Sequence, residues 1–181
     1  HQITSVIGFV TNYYEILTGG NYENQFNQHI YLHTWSLAIE VHYYILWGAL
    51  LWFLAKLVKH QNQFRGLVFM VSLTCFTVSF LSMFISAFFV DGFSRLYFSS
   101  ITHAYPFFLG SILATLSGVH ETTARFKKNV HLWELKKTVL YMVGSFALLL
   151  LLGLVLHFEE RITYLFGFVL ASLFTAVMIY S

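Results

Sequence analysis

Residues 66–90, GLVFMVSLTCFTVSFLSMFISAFFV, form the longest run in the chain free of Asp, Glu, Lys, Arg and His. A helix over this run is about 37 Å long at 1.5 Å per residue, enough to cross the ~30 Å hydrocarbon core of a bilayer. Its apolar residues do not alternate with polar ones, which argues against a barrel strand and for a helix whose backbone groups are satisfied within the segment. Further apolar runs cover 36–58, 103–119, 138–156 and 162–181, and residues 3–17 read as the outer end of an additional span. The expected fold is all-α, a polytopic transmembrane helix bundle. Residues 1–181 would form part of one integral-membrane domain of about five spans, truncated at its ends.

Composition excludes an ordinary soluble domain. Hydrophobic residues make up 57% and charged residues 10% of the chain, and the mean hydropathy is +0.67. Such a chain has lipid as its main solvent. No signal peptide is visible, the first residue is not methionine, and apolar segments stand at both ends, so the sequence reads as a fragment of a longer protein. The one cysteine, Cys75, admits no internal disulfide and suits a small packing position.

Small residues recur at helical spacing in three places. Ser72, Cys75, Ser79, Ser82 and Ser86 form one stripe, Gly110, Ala114 and Gly118 a second, and Gly167, Ala171 and Thr175 a third. In lipid, such ridges allow close helix approach, predicting a tightly packed bundle. Eight of the ten Lys and Arg residues fall on one side of the predicted spans: Lys56, Lys59, Arg65, Arg125, Lys127, Lys128, Lys136 and Lys137. The positive-inside rule makes that side cytoplasmic and turns the Ser36 end of the first complete span outward.

At that outward end lies HTWSLAIEVHYYILW, residues 33–47. A 100° turn per residue puts Ser36, Glu40, Tyr43 and Trp47 on one face, with Tyr44 beside them and His42 nearly opposite. Thr34 or Ser36 could cap the helix. A carboxylate at a helix centre costs about 2.5–3.5 kcal/mol on insertion scales, so even a shallower Glu40 calls for a partner, a proton or a water-filled chamber. Glu40 reads either as a general base or orienting group, or as a structural carboxylate bonded to Tyr or Trp. His33, one turn earlier, is placed to move protons near external water, or is simply solvated. His42 suits interhelical packing. Arg95 opposes the positive-inside trend; it could pair with Asp91, hold an anionic group or support Glu40. No metal-ligand spacing, phosphate loop, nucleophile elbow or nucleic-acid motif is present.

The stretch resembles the HTWSLAVEEQFYLLWP signature of the membrane acyltransferase-3 family. His33, Thr34, Trp35, Ser36, Leu37, Ala38, Glu40, Tyr44, Leu46 and Trp47 agree, while Val41, His42, Tyr43 and Gly48 depart. A second block, SRLYFSSITHAYPFFLGSILA, is similar to the family's S-R-x-Y-x-G-T-D-T-R connection and the LLG-A-LLA run after it. Arg95, Tyr97, Thr102, Leu109, Gly110 and Ala114 agree, and Ile101 and His103 replace its aspartate and arginine. The family's amino-terminal span, which bears an arginine and a histidine, is not in this sequence.

The resemblance implies transfer of an acyl group, usually acetyl from acetyl-coenzyme A or another acyl-CoA, to a hydroxyl of an envelope glycan or related acceptor. It implies a multi-pass protein of a bacterial plasma membrane, with the donor inside, no metal, and an extracellular esterase-like domain as a possible continuation. Under it Glu40 and His33 are candidate catalytic residues, Glu40 positioning or activating a histidine of the absent span. Trp35, Ser36, Tyr44, Arg95, Tyr97 and His103 are candidate substrate-binding residues. A transporter or exporter of polysaccharide units would also tolerate an intramembrane carboxylate, but the sequence has one early proline and no internal repeat. A structural partner subunit without chemistry of its own is the third reading.

Overall fold

The computed structural model describes residues 2–18, 31, 33–90, 93–117, 132–157 and 160–180. All regular elements among them are helical. Among the described residues three helices are long and apolar enough to cross a membrane: α3 (Thr34–Leu57), α4 (Gln61–Phe89), and Lys136–Val155 within α7 (Leu132–Val155). Two shorter apolar helices accompany them, α6 (Tyr105–Ser117) and α8 (Phe168–Tyr180), the latter extended at its start by a π-helical turn, Thr163–Gly167. The bundle is a transmembrane one, as its periphery shows: Leu154 is 79% and Ile179 74% exposed. Such surface is unfavourable in water and ordinary against lipid chains.

The beginning of the chain departs from the single outer segment expected over 3–17. It forms two short helices, α1 (Gln2–Ile7) and α2 (Thr11–Thr18). Between them Phe9 takes a φ of 53°, a left-handed conformation uncommon for a bulky side chain. Backbone bonds from Gly8 N to Thr4 O at 3.0 Å and from Val10 N to Ser5 O at 2.9 Å close the corner. The connection after α4 likewise contains a helix, α5 (Ser94–Phe98), not anticipated as structure. Helix α3 starts at Thr34 with His33 at its cap and no side-chain capping bond, so neither Thr34 nor Ser36 caps it. Lys136 and Lys137 lie within α7 rather than in a preceding surface segment.

Helix α4 packs on α6, α7 packs on α8, and α2 rests against α3 and α5. Met83, Ala87, Leu96, Tyr105 and Tyr164 form the central core, with Phe93 stacked on Tyr164 at 4.7 Å. The serine stripe of α4 faces inward as expected. Ser72 shares a 2.9 Å hydrogen bond with Ser111 of α6, and Ser79 donates to the Ile101 carbonyl at 2.5 Å. The third ridge is tight at Gly167, where an added Cβ would run into the Leu156 side chain. The second ridge does not close. Gly110 and Ala114 are exposed, because α3 and α6 are held apart by aromatic rings; Gly118 lies outside the described residues.

Candidate functional site

The turn between α5 and α6, residues 99–104, is pinned from several sides. Asn12 of α2 donates through Nδ2 to Ser100 Oγ at 2.9 Å and to the Phe98 carbonyl at 3.4 Å. Tyr43 of α3 donates its hydroxyl to the Ser100 carbonyl at 2.8 Å, and Ser79 of α4 holds the next carbonyl. Thr102 closes the turn on itself, donating to the Leu96 carbonyl at 2.6 Å and the Ser99 carbonyl at 3.1 Å. Irregular backbone at membrane depth is tolerated when its polar groups are satisfied inside the protein, and these side chains satisfy them.

What the turn presents is His103. Its ring makes edge contacts with Trp35 at 5.4 Å, Tyr97 at 5.5 Å and Phe168 at 5.6 Å between centroids. Trp35 meets Tyr97 at 4.7 Å and Phe98 at 5.4 Å. The His103 Nδ1 atom is shielded from solvent and has no hydrogen-bond partner. A cavity of about 400 Å³ opens beside it, lined at this end by Trp35, Tyr97 and His103 and continuing between α6 and α8 past Gly110, Ser172 and Thr175. An unprotonated imidazole nitrogen in an aromatic-walled chamber can accept a hydrogen bond from a hydroxyl.

Three of the residues singled out by sequence, Trp35, Tyr97 and His103, are thus brought together. Tyr44 stands lower on α3, against Phe107 at 6.4 Å. Glu40, Ser36 and His33 are exposed. Glu40 is about 140° round the helix from Trp35, so its carboxylate belongs to the face opposite the chamber. Ser36 makes a long 3.5 Å contact from its hydroxyl to the His33 carbonyl. Arg95 is exposed, and among the described residues no ion pair joins it to Glu40; Asp91 lies outside them. His42 packs on Tyr13 at 6.1 Å, in keeping with a packing role.

Sequence reasoning passed over α2. Asn12 is fully buried and Glu15 is 2% exposed, both on the side of α2 that meets α3 and α5. Their i, i+3 spacing was the available signal, hidden in a segment too short and polar to read as a span.

No family model matches the chain, and no solved structure matches it. Curated proteins do. A Staphylococcus aureus (strain COL) protein named "Putative O-acetyltransferase" is 32% identical over 183 residues, covering 100% of this chain and 29% of its own length. A second, "O-acetyltransferase OatA" of strain NCTC 8325, is 30% identical over 179 residues, covering 97% of this chain and 28% of its own length. The chain is a homologue of bacterial O-acetyltransferases. It spans under a third of the length of these relatives. The O-acetyltransferase similarity runs through both motif blocks and all five apolar helices, since it covers the whole chain.

Proposed function

We propose that this chain is part of an acyltransferase-3 type membrane O-acyltransferase of a bacterial plasma membrane. The reaction moves an acyl group, acetyl in the simplest case, from acyl-CoA to a hydroxyl of an envelope glycan or related acceptor. The supporting observation is similarity along the whole of this chain to part of proteins named as O-acetyltransferases, combined with a shielded, aromatic-walled chamber at the end opposite most of the basic residues. Under the positive-inside rule that chamber opens outward, and the donor arrives from the basic end.

In this reading the acceptor enters between Trp35 and Tyr97, where one of its hydroxyls donates a hydrogen bond to His103 Nδ1 and a neighbouring hydroxyl is left to react. The reacting oxygen attacks the acyl carbonyl carbon, the new C–O bond forms and the C–S bond to coenzyme A breaks; the proton of that hydroxyl passes to the base and the coenzyme A thiolate leaves. Trp35, Tyr97 and Phe168 exclude the water that would hydrolyse the acyl group. Glu40 and His33, on the opposite face of the same helix end, act toward the rest of the full-length protein. Glu40 orients a histidine supplied there as the base, and His33 relays its proton to water. Ser36 and Arg95 flank the approach, Arg95 as an exposed cation for a polar or anionic acceptor, whereas Tyr44 stands away from it. The full-length relatives leave room for an extracellular esterase-like domain.

Glu40→Gln in the full-length protein should abolish O-acetylation of the cell envelope while the protein accumulates normally in membranes. Undiminished acetyl transfer from labelled acetyl-coenzyme A by those membranes would remove Glu40 from the reaction.

A further inference from the structure

The second cavity is larger than the His103 chamber and lies nearer the basic end. It is a cleft of about 940 Å³ between α3, α4 and α6. Its origin is visible in the side chains. Across the gap between α3 and α6, Tyr43 stacks on Phe107 at 5.3 Å and Trp47 meets Phe108 at 5.4 Å, so the rings act as spacers. Toward the basic end the facing residues shrink to Gly48 on α3 and to Gly110 and Ala114 on α6, and the space stays open. A Cβ added at Gly48 or Gly110 would meet nothing within 4 Å. Tyr44, Gly48 and Ala114 are exposed, so this opening faces the bilayer side of the bundle.

The floor of the cleft is cationic. Arg65 of α4 lines it and donates from its guanidinium to the Thr115 carbonyl of α6 at 2.7 Å, bridging the two helices. A guanidinium has five N–H donors, so this anchor orients the group and leaves donors in the fork geometry that suits phosphate. Lys59 is exposed in the adjacent turn, and Lys56 rests its ammonium 3.6 Å over the Trp52 ring. From Pro106 to Thr115 the α6 wall runs about 13 Å, most of it apolar.

We propose that this cleft binds an anionic phospholipid of the leaflet at the basic end, one acyl chain lying along α6 with its phosphate on Arg65. An apolar slot open to lipid, closed at headgroup depth by an anchored guanidinium and flanked by lysines, complements a chain joined to an anionic phosphodiester. The basic side faces the anionic cytoplasmic leaflet under the orientation set by the charge count. The cleft shares Pro106 and Gly110 of α6 with the acyl-transfer chamber, but its Arg65 floor does not line that chamber, and the proposal does not depend on the reaction assigned there.

The test uses the full-length protein equilibrated in mixed micelles of phosphatidylglycerol and phosphatidylcholine and read by native mass spectrometry. The wild type should retain one phosphatidylglycerol in preference to phosphatidylcholine. Arg65→Gln should weaken that retention about tenfold or more, the scale of a lost charge-assisted hydrogen bond. Gly110→Leu and Gly48→Phe fill the cleft from opposite walls and should each expel the lipid while far-ultraviolet circular dichroism stays unchanged. Equal retention of the two lipids overturns the proposal, as does retention by both filled, folded variants. Displacement of the lipid by coenzyme A at comparable concentration also overturns it, reassigning the cleft to a soluble nucleotide.

Discussion

The two ends of the bundle fill space in opposite ways. Around residues 98–103 directional contacts hold the turn, and Asn12, Tyr43, Ser79 and Thr102 leave little freedom for the backbone that carries His103. Between α3 and α6 the contacts are ring against ring, and Gly48, Gly110 and Ala114 leave open volume. A bonded junction specifies one geometry, as the proposed acyl-transfer site needs. A cleft bounded by spacers tolerates a variable chain within it. Substitutions should separate the two regions by size of effect.

The largest difference is expected between two tryptophans on α3. Trp35 is 8% exposed within the junction, and Trp35→Ala should lower stability in detergent by about 3–5 kcal/mol. Trp47 borders the cleft and is only half-buried, so Trp47→Ala should cost clearly less in the same thermal melt. Equal losses would erase the contrast.

Next in size is Asn12→Leu. Ser100 and the Phe98 carbonyl would lose their donor in a buried setting, at about 1–3 kcal/mol. Acyl transfer should fall with it, because the same turn carries His103.

Arg95→Ala should reduce turnover without shifting the melting temperature, since the side chain is exposed. An unchanged rate would leave Arg95 as no more than an exception to the charge topology. The smallest effect belongs to Gly110→Ala, within about 0.5 kcal/mol, because the added methyl enters open space. Gly167→Ala is its counterpart, destabilising through collision with Leu156.

How far the sequence reached differs from residue to residue. The span over 36–58 appears as Thr34–Leu57, because a long apolar run with lysines at its end has few alternatives in lipid. The serine stripe of α4 was legible because helical spacing fixes which side chains share a face. The gathering of Trp35, Tyr97 and His103 was not, since those residues stand on three elements separated by up to 68 positions. The ridge of Gly110 and Ala114 misled for a related reason: small residues permit close approach, but bulky rings one turn away can forbid it.

The two carboxylates show the same division. Glu40, conspicuous inside an apolar run, is exposed, whereas Glu15, in a segment that reads as an interrupted fragment, is 2% exposed. By itself the sequence determined a helical membrane bundle, its charge asymmetry and its kinship with O-acetyltransferases, because hydropathy, lysine and arginine placement and motif identity are local properties of the chain. Only the tertiary structure decided which polar groups are buried, that His103 stands in an aromatic chamber, and that a cleft opens along α6. Those depend on which helix faces meet, and in lipid that is set by side-chain shape and interhelical hydrogen bonds rather than by hydrophobicity.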